Sequence, residues 1–299
     1  MRVVQLTDIH MPADPEDETV MELLAGIDLL DPAATLAAVL DDVASLAVAP
    51  DLVVCTGDLG DRGHPASYRR LNAMLRGLGV PTVVLPGNHD LAAELEAHLP
   101  GGNVVTAPTA RTYGSWTFAF ARTGNTEWGE LGGEQVGALG DALEQASARH
   151  VFVWLHHPPV PVHEGALADA DFLADDLRAL HARVPLAGMA AGHVHASVTT
   201  RLDDVAVLAT QSTFFGAGGP GYRIVDFGDD GTYRSETRGF PAMTTMTDEM
   251  RDRLVAVSRR RAAERAAQPK RRGDEHEAVA EVRAWRDEAD RRRGRAPLA

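Results

Sequence analysis

Five short apolar runs, mostly β-branched, punctuate the first two thirds of the chain: Val3–Leu6, Leu52–Cys55, Thr82–Leu85, Val151–Leu155 and Leu186–Ala190. Continuous apolar runs of this length predict strands buried on both faces, although the Ala-rich last one fits a helix as well. Between them the period changes. Leu36, Val39, Leu40, Val43 and Leu46 recur at helical spacing within Pro32–Val48, and Tyr68, Leu71, Met74, Leu75 and Leu78 within Pro65–Leu78. Asp31 before Pro32 reads as an N-cap followed by a first-turn proline. Glu134–Ala148 and Ala166–Leu180 are two further predicted helices. Strand and helix alternate, which predicts an α/β layered domain. Residues 104–122 and 198–240 carry short alternating stretches and glycine turns instead. They predict antiparallel strands that complete a second sheet of a sandwich.

Composition sets bounds on this picture. A chain of 299 residues accommodates one large domain with an appendage, or two domains. Its single cysteine, Cys55, excludes an internal disulfide framework and reads as a small buried residue. The sequence has no run of 18 apolar residues and no signal-peptide pattern, so the expectation is a soluble cytoplasmic protein. Charge is uneven. From Arg251 to Ala299 there are 15 basic and 9 acidic residues, net +6, which leaves 14 basic against 34 acidic, net −20, for the remainder. An acidic body argues against general nucleic-acid binding. The division expected is residues 1–242 as the catalytic body and 243–299 as a basic, Arg-rich, helical or partly disordered extension. Gln268–Gly273 reads as a hinge between two helical stretches. The plain reading of the extension is a solvated tail, and contact with nucleic acid, an anionic lipid surface or the acidic body remains open.

Each apolar run is followed by a polar cluster: Asp8-Ile9-His10, Gly57-Asp58-Leu59-Gly60-Asp61, Gly87-Asn88-His89-Asp90, His156-His157-Pro158-Pro159 and Gly192-His193-Val194-His195. Taken singly these are ordinary turns, caps or rigid corners. Together they place carboxylates, imidazoles and an amide at five strand ends, where open α/β sheets hold ligands. Oxygen and nitrogen donors without thiolate suit two adjacent Mn, Fe, Zn, Co or Mg ions, and a mix with four histidines favours Fe, Mn or Zn over Mg. In Asp8-Ile9-His10 both side chains share a face if the segment stays extended.

This set of motifs resembles the calcineurin-like metallophosphoesterase superfamily. Thr56–Gly63, Pro65–Leu71, Leu85–Asp90 and Leu155–Pro159 resemble its class III cyclic-nucleotide phosphodiesterase branch, and the likeness runs from residue 1 to about 240. The resemblance implies a four-layer αββα sandwich of two mixed sheets flanked by helices. It implies one metal on Asp8, His10, Asp58 and His195, and a second on Asp58, Asn88, His156 and His193, with Asp58 bridging. His89 would contact a phosphoryl oxygen or protonate the leaving group, and Asp90 would orient His89. Asp61 and His157 would stand behind the ligands, and His157 reads equally as a plain structural residue. The implied reaction is attack of a hydroxide bridging two ions about 3.5–4 Å apart on a phosphorus ester.

The branch pattern is not complete. Where it has an Asp-Ser or Asp-Thr pair after a strand, this chain reads Phe118-Ala119-Phe120-Ala121-Arg122-Thr123-Gly124-Asn125. The acidic stretch Met11–Asp31 is a candidate cap over the site. Phe214–Gly221 is either a wall against a nucleobase or a glycine-rich turn, and the turn is the simpler reading. The leading expectation is therefore hydrolysis of a small phosphodiester, most simply a 3′,5′-cyclic nucleotide. A broader phosphomonoesterase, a glycerophosphodiesterase or a nuclease on the same metals is the alternative. A metal-binding scaffold is disfavoured, because it has no need of His89 beside an intact ligand set. A homodimer is also compatible with the sequence.

Overall fold

The computed structural model describes residues 1–14, 31–99, 104–124, 129–146, 149–162, 171–215, 219–240, 256 and 275–292. Among these residues two sheets stack face to face. One contains β1 (Arg2–Leu6), β2 (Leu52–Thr56), β3 (Thr82–Leu85), β10 (Gly221–Phe227) and β11 (Tyr233–Gly239), in the order β11-β10-β1-β2-β3. The other contains β4 (Thr109–Tyr113), β5 (Trp116–Phe120), β6 (His150–Trp154), β7 (Leu186–Ala191), β8 (Val198–Leu202) and β9 (Val205–Ala209), in the order β4-β5-β6-β7-β9-β8.

Side-chain alternation explains the layering, since neighbours on a strand face opposite ways. Val3, Leu52 and Val54 enter the core between the sheets with Phe118, Phe152, Trp154 and Phe227. Val4, Val53 and Cys55 face the other way, onto α1 (Pro32–Ala44) and α2 (Pro65–Leu75), through Leu36, Val39, Tyr68 and Leu71. On the far side α4 (Gly132–Gln145) and α5 (Asp171–Arg183) cover the second sheet through Leu139, Leu143, Leu173 and Leu177. The result is the four-layer αββα sandwich.

Several expectations change in detail. Asp31 caps α1 by accepting the Ala33 N–H at 3.0 Å, but the helix stops at Ala44, where the N–H of Ser45 turns back to Asp41 and Asp42. The start predicted for α5 at Ala166 lies outside the described residues. The antiparallel strands expected over 104–122 and 198–240 are present, but they are not the whole of the pairing there. β4–β5, β8–β9 and β10–β11 are antiparallel, but β5 runs parallel to β6 and β9 parallel to β7. The cause is the helical crossover through α4 in the first case, and in the second the return of a hairpin whose inner strand is β9. Segment 198–240 also divides between the sheets, with β10 and β11 joining the first. The short helix α3 (Ala92–His98) had no periodic signal.

The extension carries α6 (Glu275–Arg292), which is not solvated on every side. Val282, Arg286 and Asp290, four residues apart and so on one helical face, are buried. The helix lies against a single 3-10 turn, Asp61–Gly63. Arg286 comes within 3.9 Å of Glu94 on α3, and Asp290 within 3.9 Å of His64. The plain reading of a solvated tail is therefore corrected for this helix, because three residues at helical spacing give it a packing face. The expected hinge Gln268–Gly273 lies outside the described residues. Among the described residues no helix is long and apolar enough to cross a membrane.

Candidate metal centre

The five polar clusters follow β1, β2, β3, β6 and β7 and meet at one rim of the sandwich. Backbone pairing continues beyond the strands and fixes the loops. The N–H groups of Asp8, His10 and Met11 donate to the carbonyls of Gly57, Asp58 and Leu59, each at 2.9 Å. Gly192 N–H donates to His156 O at 2.9 Å. Gly57 has φ +98°, open to glycine, and a Cβ there would strike the His156 ring.

The extended conformation expected for Asp8-Ile9-His10 is not found. Asp8 and His10 have φ of 52° and 48°, and His193 and His195 have 68° and 50°. Asp58, at 51°, adopts the same left-handed region. Five of the seven non-glycine residues with positive φ among the described ones thus belong to the expected ligand set. Such backbone costs on the order of 1–3 kcal/mol per residue and persists where the surroundings enforce it, as functional sites do. The two side chains of each pair still converge, by twisted rather than extended backbone.

On one side Asp8, His10 and His195 bring potential ligand atoms within 4.8 Å of one another. The Nε2 atoms of His10 and His195 face each other at 3.3 Å, and His195 Nε2 lies 3.3 Å from Asp8 Oδ1. Asp8 Oδ2 is occupied, accepting from Thr7 Oγ1 at 2.7 Å and from the His193 N–H at 2.9 Å. Asp8 Oδ1 is buried and makes no hydrogen bond. On the other side Asp8, Asp58 and His156 form one group, and His156, His157 and His193 another. His156 Nδ1 lies 2.7 Å from the Thr56 carbonyl, so it carries the proton and donates. Its Nε2 lone pair then faces Asn88 Oδ1 at 3.0 Å and Asp58 Oδ1 at 3.4 Å. Three electron-pair donors aimed at one another, with the imidazole held by a carbonyl behind it, is an arrangement that a cation satisfies. Asp58 faces both sides, with Oδ1 toward His156 and Oδ2 toward His10 at 3.8 Å.

Electrostatics agree with the donor set. Burial lowers His10 and His193 to about 3, so both are neutral imidazoles. Burial alone would raise Asp8, but the adjacent His195 outweighs it and the carboxyl falls to about 2. Asp58 is likewise driven well below its ordinary value, burial being outweighed by His156 and His89. Burial opposes charge on His156, yet Asp58 holds it up at about 9. Two buried carboxylates thus remain ionised, and the proton that Asp58 favours on His156 Nε2 is the one a bound cation would displace to meet the lone pair described above. Divalent ions fit such a site.

His89 sits over Asp58, with its Nε2 3.9 Å from Asp58 Oδ2 and its ring 5.0 Å from that of His10. Asp90 does not take the orienting role expected of it, and His89 Nδ1 makes no hydrogen bond. The buried Asp90 carboxylate instead accepts from the N–H groups of Leu59, Gly60 and Gly87 and from the phenol of Tyr68. It therefore ties the Gly57–Asp61 loop to the Gly87–Asp90 loop. Burial and the neighbouring Asp58 push its carboxyl up to about 6 despite the three backbone donors. Asp61 is buried in the 3-10 turn, 3.6 Å from Arg62, and joins none of the ligand groups. His157 contacts Thr123 Oγ1 through Nδ1 at 2.7 Å, and its ring lies 4.5 Å from that of His193 with the planes tilted by 52°. Thr123 lies in the stretch where the branch motif was missing. Phe215 places its ring 4.3 Å from His195, so this part of Phe214–Gly221 walls the site and is more than a turn. Residues 216–218 and the greater part of the expected cap Met11–Asp31 lie outside the described residues. Sequence reasoning missed Thr7, Tyr68, Thr123 and Trp285, none of which belongs to a recognisable ligand motif.

The sequence model of the family described as calcineurin-like phosphoesterase matches residues 1–197. The chain belongs to the calcineurin-like phosphoesterase family. It is a metal-dependent phosphoric ester hydrolase. Among its relatives, a 3′,5′-cyclic-nucleotide phosphodiesterase of Nostoc sp. is 29% identical over 255 residues, covering 80% of this chain and 92% of the relative. The 3′,5′-cyclic adenosine monophosphate phosphodiesterase CpdA of Escherichia coli K12 is 26% identical, covering 79% and 88%. In fold, a calcineurin-like phosphoesterase of this kind is similar to a dimetal phosphatase from Danio rerio, with a TM-score of 0.60 at 12% identity, covering 80% of this chain and 96% of that one.

Proposed function

We propose that this phosphoesterase hydrolyses the phosphodiester of a 3′,5′-cyclic nucleotide. The observation that carries the reading is the position of Asp58, whose two oxygens face His156 and His10 on opposite sides, with His89 above. Asp8, His10, Asp58 and His195 would hold one metal ion, and Asp58, Asn88, His156 and His193 would hold the other. Two such ions, when bound, supply Lewis acidity and an activated water. The imidazole-rich donor set favours Fe, Mn or Zn over Mg.

The chain's own residues do the remaining work. Thr7, Thr56 and the His193 N–H hold the ligands from behind, so the site is formed before substrate arrives. His89 presents Nε2 to the space above Asp58, placed to donate to a phosphoryl or leaving oxygen. Hydrolysis breaks one ester P–O bond, adds hydroxyl to phosphorus and delivers a proton to the departing oxygen. Phe215 offers a flat apolar wall beside His195, suited to a ring such as a nucleobase. The cyclic-nucleotide class is supported by relatives of that printed activity that align over about four fifths of the chain. The reading also includes action in the cytoplasm, tested by whether activity fractionates with soluble cell extract.

The deciding experiment compares 3′,5′-cyclic AMP, 3′,5′-cyclic GMP and bis-p-nitrophenyl phosphate with manganese-loaded protein and a chelated control. Turnover of a cyclic nucleotide that chelation abolishes is expected. Turnover of the artificial diester alone would reject the cyclic-nucleotide substrate.

A further inference from the structure

The His89 ring is not fixed by a hydrogen bond. Its Nδ1 makes none, Asp90 is committed to backbone donors, and Nε2 stands 3.9 Å from the nearest Asp58 oxygen. Beside the His10 ring, 5.0 Å away, what lies against it is Trp285 of α6, 196 residues along the chain. The two ring centroids are 5.3 Å apart and the planes meet at 60°, an edge-to-face contact. Trp285 is held in turn. The Arg62 guanidinium lies over the indole, 5.0 Å from its centroid. Arg62 itself is buried in the 3-10 turn that follows the Asp58 loop, with φ 56°. Val282, Arg286 and Asp290 seat the helix on the same surface, with Arg286 toward Glu94 and Asp290 toward His64.

Attraction between a basic tail and an acidic body does not account for this docking. α6 contains four arginines against six acidic residues. The contact is set by individual partners, and its centre is the indole against His89.

We propose that Trp285 is a positioning residue for His89, so that the C-terminal helix is a working part of the active site. This rests on the catalytic role assigned to His89 above. An imidazole without a hydrogen-bonded partner behind it keeps rotamer freedom, and a ring packed against its side removes that freedom. Misplacement of a catalytic group by about 1 Å costs up to about a hundredfold in rate. Trp285 therefore acts on turnover more than on substrate affinity, and entirely through His89.

The test is a double-mutant cycle in the full-length, manganese-loaded protein with His89→Ala, Trp285→Ala and the pair, read as kcat and KM on the substrate found above, or on bis-p-nitrophenyl phosphate. Trp285→Ala is expected to lower kcat by about tenfold or more, with KM and metal content nearly unchanged. The same substitution in the His89→Ala background is expected to change kcat less than twofold, and Trp285→Phe to restore most of the loss. If Trp285→Ala costs as much without His89 as with it, or raises KM instead of lowering kcat, the positioning role is overturned. If His89→Ala alone leaves turnover intact, the role of His89 has failed, and that result is separate. Should Trp285→Ala unseat the helix, Trp285→Leu keeps apolar volume at that position without an aromatic edge. The cycle is then read with Leu, and the same outcomes apply.

Discussion

The phenol of Tyr68 donates to the Asp90 carboxylate at 2.9 Å and accepts the Leu91 N–H at 3.1 Å. Both side chains are fully buried, so Tyr68→Phe leaves a buried amide unpartnered and takes one donor from a carboxylate that binds two loops together. A loss of about 1–3 kcal/mol is expected, seen as a lower urea midpoint with unchanged slope. An unchanged midpoint would mean that the three backbone donors to Asp90 suffice.

Gly87 adjoins Asp58 so closely that a Cβ there would overlap both the Asp58 carboxylate and its backbone nitrogen. Gly87→Ala must therefore displace the carboxylate that faces both sides of the site. Metal retained after dialysis is expected to fall by about tenfold or more. Gly133→Ala, where a Cβ meets nothing within 4 Å, is expected to keep its metal. Equal retention by the two variants would show that Asp58 can shift without cost to binding.

Most of this site was legible because each ligand follows an apolar run, and the ends of buried strands must converge once the sheets stack. The route of convergence was not legible. Left-handed φ at Asp8, His10, Asp58, His193 and His195 is imposed by neighbouring loops, and the preference of Asp and His for that region is too weak to locate it from residue type. Asp90 was a partner for His89 only as the family resemblance implies it. The partner that counts for Asp90, Tyr68, lies 22 residues earlier on a helix where its ring reads only as core. Trp285 was hidden further, in a tail whose charge obscured a packing stripe. Strand direction in β5 and β9 was lost for a related reason, since alternation reveals which face is buried but not which neighbour pairs.

Asp58→Ala and His89→Ala separate holding the metals from using them. With Asp58 proposed to touch both ions, its removal is expected to empty the site on dialysis, as read by elemental analysis. It is also expected to abolish the rise in melting temperature that saturating manganese gives the parent protein. That rise reflects about 2.7 kcal/mol of linkage at a hundredfold excess over Kd. His89→Ala is expected to keep metal content and the thermal shift, yet lose on the order of a hundredfold or more in kcat. An empty site in His89→Ala would move His89 into the ligand set.

Arg223 on β10 spans the two sheets without a carboxylate. Its guanidinium donates to Thr210 Oγ1 at 2.8 Å, the Ala209 carbonyl at 2.7 Å and Ser235 Oγ at 3.1 Å. Thr210 donates on to Gln5 Oε1 at 2.7 Å, and Gln5 Nε2 reaches Thr56 Oγ1 at 2.8 Å and the Ala191 carbonyl at 3.2 Å. The chain of bonds thus ends on the residues just before Gly57-Asp58 and Gly192-His193. Burial lowers the guanidinium to about 10, still charged at neutral pH. Arg223→Met keeps the length of the side chain but strands the Ala209 carbonyl and unties Thr210. A loss of about 2–3 kcal/mol follows, or about 5–10 °C in Tm, with metal stoichiometry retained. Gln5→Leu in the same background should then cost less than it does alone, because the network has already been opened. An unaltered Tm in Arg223→Met would mean instead that the desolvation of a buried cation cancels its hydrogen bonds.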